Sequence, residues 1–287
     1  MRFLHCSDVH VTQDYSSSAL RQLGWRRSIA LFELRFGGRA ALYAKADKTL
    51  GLILRDAERL KVDHVVISGD LTAYATPAEF ARAREALGLL ALDRTRLSVI
   101  PGNHDHYTPG AVADRRFERT FAELLVSDLP EYASEGPFPF VRLLGDEAAV
   151  VGLCSARVPR LPGFSFGVVG ATQLSSLRRL VADERLARRA VLVAVHHAPL
   201  NRAGKPDQPL HGLKDANELL AILKGPRFAV LHGHIHQRYQ HPATASRPLL
   251  LGAGSSTMAG REGYWLIEVA DGKVQRATVQ VIGGVRG

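Results

Sequence analysis

Short runs of branched apolar residues recur along this chain, and each ends in a cluster of polar residues. Arg2–Cys6 leads to Ser7-Asp8-Val9-His10, and His64–Ile67 leads to Ser68-Gly69-Asp70. Leu97–Ile100 runs into Pro101-Gly102-Asn103-His104-Asp105, and Val191–Val195 into His196-His197. Phe228–Leu231 precedes His232-Gly233-His234-Ile235-His236. Their shortness and β-branched content predict buried strands. Between them the period lengthens. Lys45–Lys61 places Leu50, Ile53, Leu54, Ala57 and Leu60 on one helical face. Asp114–Val126, Gln173–Ala187 (capped by Thr172) and Asp215–Leu223 read as further helices with one apolar stripe each. Thr76-Pro77-Ala78-Glu79 is a capping box with proline at the first helical position, opening a helix to about Leu90.

The last third is strand-like. Leu249–Leu251 is a short apolar run. Gly263–Val269 and Ala277–Ile282 form a closing pair around the hairpin signal Asp271-Gly272. Pro137–Pro139, Pro159–Gly170 and Asn201–Pro209 read as loops, and His241 as part of a turn before Pro242. None of these segments has the composition of an interdomain linker, so residues 1–287 are expected to form one domain.

Composition changes the picture in two places. The chain is 46% hydrophobic and 23% charged, an ordinary globular balance with no apolar run long enough to span a bilayer. The N-terminus turns polar too early for a signal peptide, and Cys6 and Cys154 read as buried thiols, so a reducing cytoplasm is expected. The net charge is +9, and residues 21–45 carry six basic side chains against the single acid Glu33. That excess favours anionic partners. Residues 15–45 are expected to be a basic amphipathic insertion, with Trp25, Phe32 and Phe36 interleaved among arginines including Arg26 and Arg27. It reads first as a lid or substrate wall, second as a lipid-facing surface at the inner membrane, and third as a nucleic-acid arm.

The polar clusters carry the chemistry. Strand ends in a sheet are rigid and converge in space. The donors they offer here are Asp, His and Asn, without thiolates, which suits Mn, Fe or Zn outside a cysteine-rich structural site. There are more ligands than one ion needs, which points to a pair with a bridging carboxylate. Strand alternation favours His196 over His197 as the ligand. The same alternation puts His232, His234 and His236 on one face. His5 and His64 read as structural or exposed. His106, Tyr107 and His211 fall in loops near the expected mouth.

Asp8-x-His10, Gly69-Asp70, Gly102-Asn103-His104-Asp105, His196 and Gly233-His234-x-His236 together resemble the calcineurin-like metallophosphoesterase superfamily. Gln173-Leu174 at a helix start and Gly252–Ser256 near the end fit the same pattern. The resemblance implies an α+β fold, a four-layer α/β/β/α sandwich of two packed mixed β-sheets flanked by helices. It implies two divalent ions (Mn²⁺, Fe²⁺/Fe³⁺ or Zn²⁺). Asp8, His10 and His236 would hold one, Asn103, His196 and His234 the other, and Asp70 both. Catalysis is assigned to Asp70 and His104, by a metal-activated hydroxide attacking phosphorus. Substrate contacts are expected from Asn103, His104, His106, Arg26 and Arg27. Much of the family supports this histidine with an acid three residues after the bridging aspartate, where this chain has Ala73. Asp105 is expected to support the site by hydrogen bonds. The compact motif order resembles 3′,5′-cyclic-nucleotide phosphodiesterases, so the expected partner is a small phosphodiester or nucleotide. The alternatives are a pyrophosphatase for a lipid-linked nucleotide sugar (UDP-diacylglucosamine type), a DNA nuclease, and a non-catalytic scaffold. Nucleic acid ranks low because the chain leaves little room for a DNA-binding domain.

Overall fold

A computed structural model describes residues 1–13, 15, 38–158 and 164–282. Arg26, Arg27 and most of the basic insertion lie outside these residues.

The expected strand runs appear as β1 (Arg2–Cys6), β2 (His64–Ile67), β3 (Leu97–Val99), β6 (Ala190–Ala194) and β7 (Phe228–His232). Two strands that the periodicity does not single out, β4 (Phe140–Leu144) and β5 (Ala148–Gly152), form a hairpin between them. The chain closes with β8 (Arg238–His241), β9 (Leu249–Ala253), β10 (Gly263–Ala270) and β11 (Lys273–Val281). His241 therefore ends an edge strand, paired with Leu250, and is not in a turn. One sheet has the order β11-β10-β1-β2-β3 and the other β4-β5-β6-β7-β9-β8. Each is mixed: β1, β2 and β3 run parallel, as do β5, β6, β7 and β9.

Helices α1 (Arg39–Leu42), α2 (Ala46–Arg59) and α3 (Pro77–Leu87) come first, followed by α4 (Pro109–Ala113), α5 (Arg116–Thr120), α6 (Ala171–Leu180) and α7 (Ala216–Ile222). α2 and α3 pack on each other, and their Leu50, Ile53, Phe80 and Ala83 join the core of the first sheet. On the second sheet alternation divides the side chains cleanly. Ala190, Leu192 and Ala194 face the core shared with the first sheet, while Val191, Val193 and Val195 pack with Leu174, Leu177 and Leu219 of α6 and α7. Contacts of β10 with β9, of β11 with β6 and β7, and of β3 with β5 stack the two sheets between helical layers. The α+β arrangement of two mixed sheets flanked by helices is as expected.

Three helices are shorter than the periodicity suggests. The Thr76 capping box is present, with Glu79 Oε2 accepting the Thr76 N–H at 3.0 Å, but the helix ends at Leu87 and a 3₁₀ turn continues to Leu92. The Asp114–Val126 stripe is not one helix. Arg115 adopts a left-handed conformation (φ 49°), so α5 starts afresh and a 3₁₀ turn follows at Ala122–Leu125. Phe117, Phe121, Leu124 and Leu125 are buried all the same. The helix expected over Gln173–Ala187 starts at Ala171 with Gly170, not Thr172, in the cap position, and stops after Leu180. There the Arg227 guanidinium donates to the carbonyls of Val181 and Leu186, satisfying groups a longer helix would have paired internally.

Candidate metal centre

Five parallel strands, β1, β2, β3, β6 and β7, release the candidate ligands at their C-terminal ends, where the two stacked sheets converge. Asp8 and His10 follow β1, Asp70 follows β2, Asn103 and His104 follow β3, His196 follows β6, and His234 and His236 follow β7. The loops turn sharply. Asp8, His10, Asp70, His234 and His236 all have positive φ, between 52° and 71°. Among the described residues they are five of the nine non-glycine residues in that state, a concentration of backbone strain of the kind found at functional sites. It also corrects the alternation argument for the last cluster. β7 ends at His232, and the two histidines beyond it are aimed by left-handed turns, not by strand pleat. His232 stays buried in the sheet.

The side chains form two groups that share Asp70. In the first, His236 Nε2 lies 3.1 Å from Asp8 Oδ1 and 3.2 Å from His10 Nε2. In the second, Asn103 Oδ1 lies 3.1 Å from His196 Nε2 and 3.0 Å from His234 Nδ1. Asp70 Oδ2 stands between them, 3.8 Å from His10 Nε2 and 3.3 Å from His196 Nε2. Asp8-His10-His236, Asp8-Asp70-His196 and His10-Asp70-His104 each bring three donor atoms within 4.8 Å of one another.

The outer imidazole nitrogens face main-chain carbonyls. His196 Nδ1 is 2.8 Å from Ser68 O, and His234 Nε2 is 2.9 Å from His211 O. A carbonyl only accepts, so these nitrogens carry a proton, which leaves the inward nitrogens to supply the lone pairs a cation needs. Inward lone pairs on nitrogen beside carboxylate and amide oxygens are the donor set a borderline divalent cation needs, so the residues fit a metal pair. Without a cation the charges compensate one another. Burial opposes ionisation of Asp70, but the imidazoles of His196, His104 and His10 outweigh it and hold its carboxyl well below the usual range. Burial also opposes the charge on His196, yet Asp70 and Asp8 raise its pKa to about 9.

Two glycines of the motifs are explained by crowding. A Cβ on Gly102 would overlap Asp70 Oδ1, and one on Gly233 would overlap Ser7 Oγ and Asp8 Oδ2. Asp105 ties two ligand loops together, as its motif position suggested. Its buried carboxylate accepts from Leu71 N and Thr72 N on one loop and from Gly102 N on the other, at 2.9–3.2 Å. Ser255 and Ser256 brace the first loop: Ser255 Oγ donates to Asp8 O at 2.8 Å, and Ser256 N donates to Ser7 O at 2.9 Å.

The ring of His104 meets a main-chain carbonyl. Its Nδ1 lies 2.6 Å from the carbonyl oxygen of Ala73, and Tyr107 stacks on its ring at 5.7 Å and 16°. A cleft of about 280 Å³ opens above the centre, lined by Asp70, Asn103, His104, Ser165, His211, His234, Ile235 and His236. His211 therefore borders the site, as does Ser165, which no sequence motif marks. His106 does not. It is buried beside Phe117 and lines a separate cavity with Cys154 and Arg157. His197 turns away to Ser155 Oγ and Ser165 O, and the buried His5 and His64 bond Ser68 Oγ and Ser98 Oγ. Both cysteines are buried and free, and burial pushes each thiol up to about 12.

A family model described as calcineurin-like phosphoesterase matches residues 1–238. The chain belongs to this family. As a family member it is a phosphoric ester hydrolase of a dinuclear metal-dependent class. This phosphoesterase is 28% identical over 247 residues to a probable cyclic nucleotide phosphodiesterase of Synechococcus sp. (strain WH7803), covering 84% of this chain and 83% of that protein. It is 26% identical over 187 residues to a probable glycerophosphodiester phosphodiesterase of Arcobacter nitrofigilis, covering 62% of this chain and 58% of that one. Among solved structures, a dimetal phosphatase from Danio rerio superposes with a TM-score of 0.61 at 14% identity, covering 97% and 95% of the two chains. The protein TT1561 of Thermus thermophilus gives 0.53 at 12% identity, covering 98% of each. Those identities speak for the fold alone. No helix among the described residues is long and apolar enough to cross a membrane.

Proposed function

We propose that this phosphoesterase hydrolyses small phosphodiesters at a pair of divalent cations, with 3′,5′-cyclic nucleotides as the first substrate class. The observation that carries the reading is the position of Asp70 between two donor groups. Asp8, His10 and His236 would hold one cation, and Asn103, His196 and His234 the other. When bound, such a pair supplies Lewis acidity and makes a water nucleophilic near neutral pH.

The chain's own residues do the rest. The Ser68 and His211 carbonyls fix the tautomers of His196 and His234. Asp70 Oδ1 accepts the His104 N–H at 2.8 Å, which anchors the loop presenting the catalytic imidazole to the bridging residue. With its proton on Nδ1, His104 offers Nε2 to the cleft. There it stabilises charge on the phosphoryl oxygens and, when protonated, delivers a proton to the leaving alkoxide. The carbonyl of Ala73 orients the ring through its dipole.

The Synechococcus relative supports the cyclic-nucleotide reading over most of both chains. The Arcobacter relative supports a second reading, glycerophosphodiesters, over a shorter span. Protein loaded with Mn²⁺ is expected to cleave bis(p-nitrophenyl) phosphate, and Asp70→Ala to lose that activity. Two bound metals per chain with no cleavage of any diester or monoester would overturn the reading. A panel of cyclic AMP, a glycerophosphodiester, a lipid-linked UDP-sugar and single-stranded DNA, compared by kcat/KM, ranks the substrates.

A further inference from the structure

The metal-centre cleft shares His236 with a second, larger cavity of about 740 Å³. The cleft itself is smaller than the usual space for a nucleotide-sized ligand, and the neighbour falls within that range. Its lining is basic. Among the described residues, Arg202, Arg238 and Arg261 contribute three guanidiniums against the one carboxylate of Glu262, with Ser255 and His236 at the metal side. Among the described residues none of the three arginines is in an ion pair. Elsewhere the chain neutralises its arginines freely: Arg82, Arg84, Arg94, Arg96, Arg116, Arg142 and Arg185 all pair with acids.

Arg238 is half-buried at the start of β8. Its Nε donates to Ala253 O at 2.9 Å and its Nη2 to Arg261 O at 3.3 Å, so two carbonyls fix the fork without cancelling its charge. Arg261 Nη1 in turn reaches His236 O at 3.4 Å, which couples the basic wall to the ligand loop. A partly desolvated, oriented guanidinium without a counter-ion matches a phosphate or carboxylate. No Phe, Tyr or Trp is among the described residues that line this cavity.

We propose that this arginine-lined cavity is a second anion subsite, which takes a terminal phosphate or carboxylate carried on one arm of the diester while the scissile phosphate lies over the metal centre. The proposal rests on the diesterase reading and adds to it a preference, among diesters, for those that carry a second anionic group. A cyclic mononucleotide leaves the subsite unfilled, whereas a dinucleotide with a terminal phosphate fills both sites.

A matched pair tests it: diadenylate with and without a 5′-phosphate. The phosphorylated form is expected to have at least about tenfold higher kcat/KM, the scale of one or two charge-assisted hydrogen bonds. In Arg238→Gln and in the exposed Arg202→Gln this ratio should fall toward one. Arg202→Gln keeps the test open where Arg238→Gln does not fold, as judged by melting. Calorimetry with Mn²⁺-loaded protein makes the same comparison without turnover, using adenosine 3′,5′-bisphosphate against AMP, neither of which contains a diester. Tighter binding of the bisphosphate, lost in the variants, supports the subsite even if no diester is cleaved. Equal kcat/KM or equal affinity for the paired ligands overturns it, as does a preference that survives both substitutions. Inorganic phosphate binding as tightly as the bisphosphate also overturns it, because the cavity would then be a site for free anions.

Discussion

His104 Nδ1 faces the carbonyl oxygen of Ala73 at 2.6 Å, so the main chain holds this imidazole at the position where much of the family places an acid. If His104 protonates the leaving group, its loss should depend on how good that group is. His104→Ala is expected to lower kcat by about 10²- to 10⁴-fold on a diester with an alkyl leaving group. On bis(p-nitrophenyl) phosphate, whose phenolate leaves without a proton, the loss should be much smaller. Equal losses on the two substrates would argue that the ring only stabilises the phosphoryl oxygens.

Metal binding should displace protons. In the cation-free protein His196 holds its proton up to about pH 9, because Asp70 and Asp8 favour the charged ring. A cation requires that nitrogen's lone pair, so at pH 7 binding should release close to one proton and weaken as the pH falls. Calorimetric titration with Mn²⁺ in buffers of different ionisation enthalpy measures this directly. Buffer-independent heats would contradict the assignment of His196 as a ligand.

Gly102→Ala should abolish metal loading while sparing most of the fold. The added Cβ would stand 2.7 Å from Asp70 Cγ, and the carboxylate between the two donor groups would have to move. Metal content by elemental analysis, alongside far-ultraviolet circular dichroism, separates loss of the site from loss of the fold. Full occupancy in this variant would count against Asp70 as the shared ligand.

Asp105→Asn replaces an acceptor of three main-chain N–H groups with an amide that can accept on one side only. At least one buried donor loses its partner, at about 1–3 kcal/mol. Both melting temperature and metal affinity should drop, since the loops carrying Asp70 and Asn103 are clamped by this one carboxylate.

Acid should destabilise the protein through His64, away from the metal centre. Burial lowers its pKa to about 4 from 6.5, with Thr95 O and Ser98 Oγ as its partners. The folded state then takes up its proton later than the unfolded state. The stability linked to this ring is present above pH 6.5 and is lost progressively as pH falls to about 4, on the order of 3 kcal/mol in total. Melting curves across that range should show a steeper acid loss for the parent protein than for His64→Gln.

Much of this was readable in the chain, for physical reasons that differ from residue to residue. The apolar runs before Asp8, Asp70, Asn103, His196 and His234 are buried strands, and burial leaves a strong imprint on sequence. The Thr76 capping box is local chemistry and appears as such. By contrast, His234 and His236 owe their aim to left-handed turns, which no alternation rule describes. The break at Arg115 and the stop at Val181 depend on backbone conformation and on a distant arginine. The support of His104 was invisible because a carbonyl belongs to every residue. Ser165 reaches the site through tertiary packing alone. The three arginines of the second cavity come from separate segments, and nothing in their spacing announces that they share a wall.

Five of the candidate ligands sit in left-handed backbone, fixed by a fold that sheets, glycines and the Asp105 clamp already hold rigid. A centre wrapped into shape by its cation would have to be rebuilt for each new one. Here the backbone itself sets where the ligands stand. Oxygen and imidazole donors held in this way suit several divalent ions alike, so the ligand set by itself does not single out one metal.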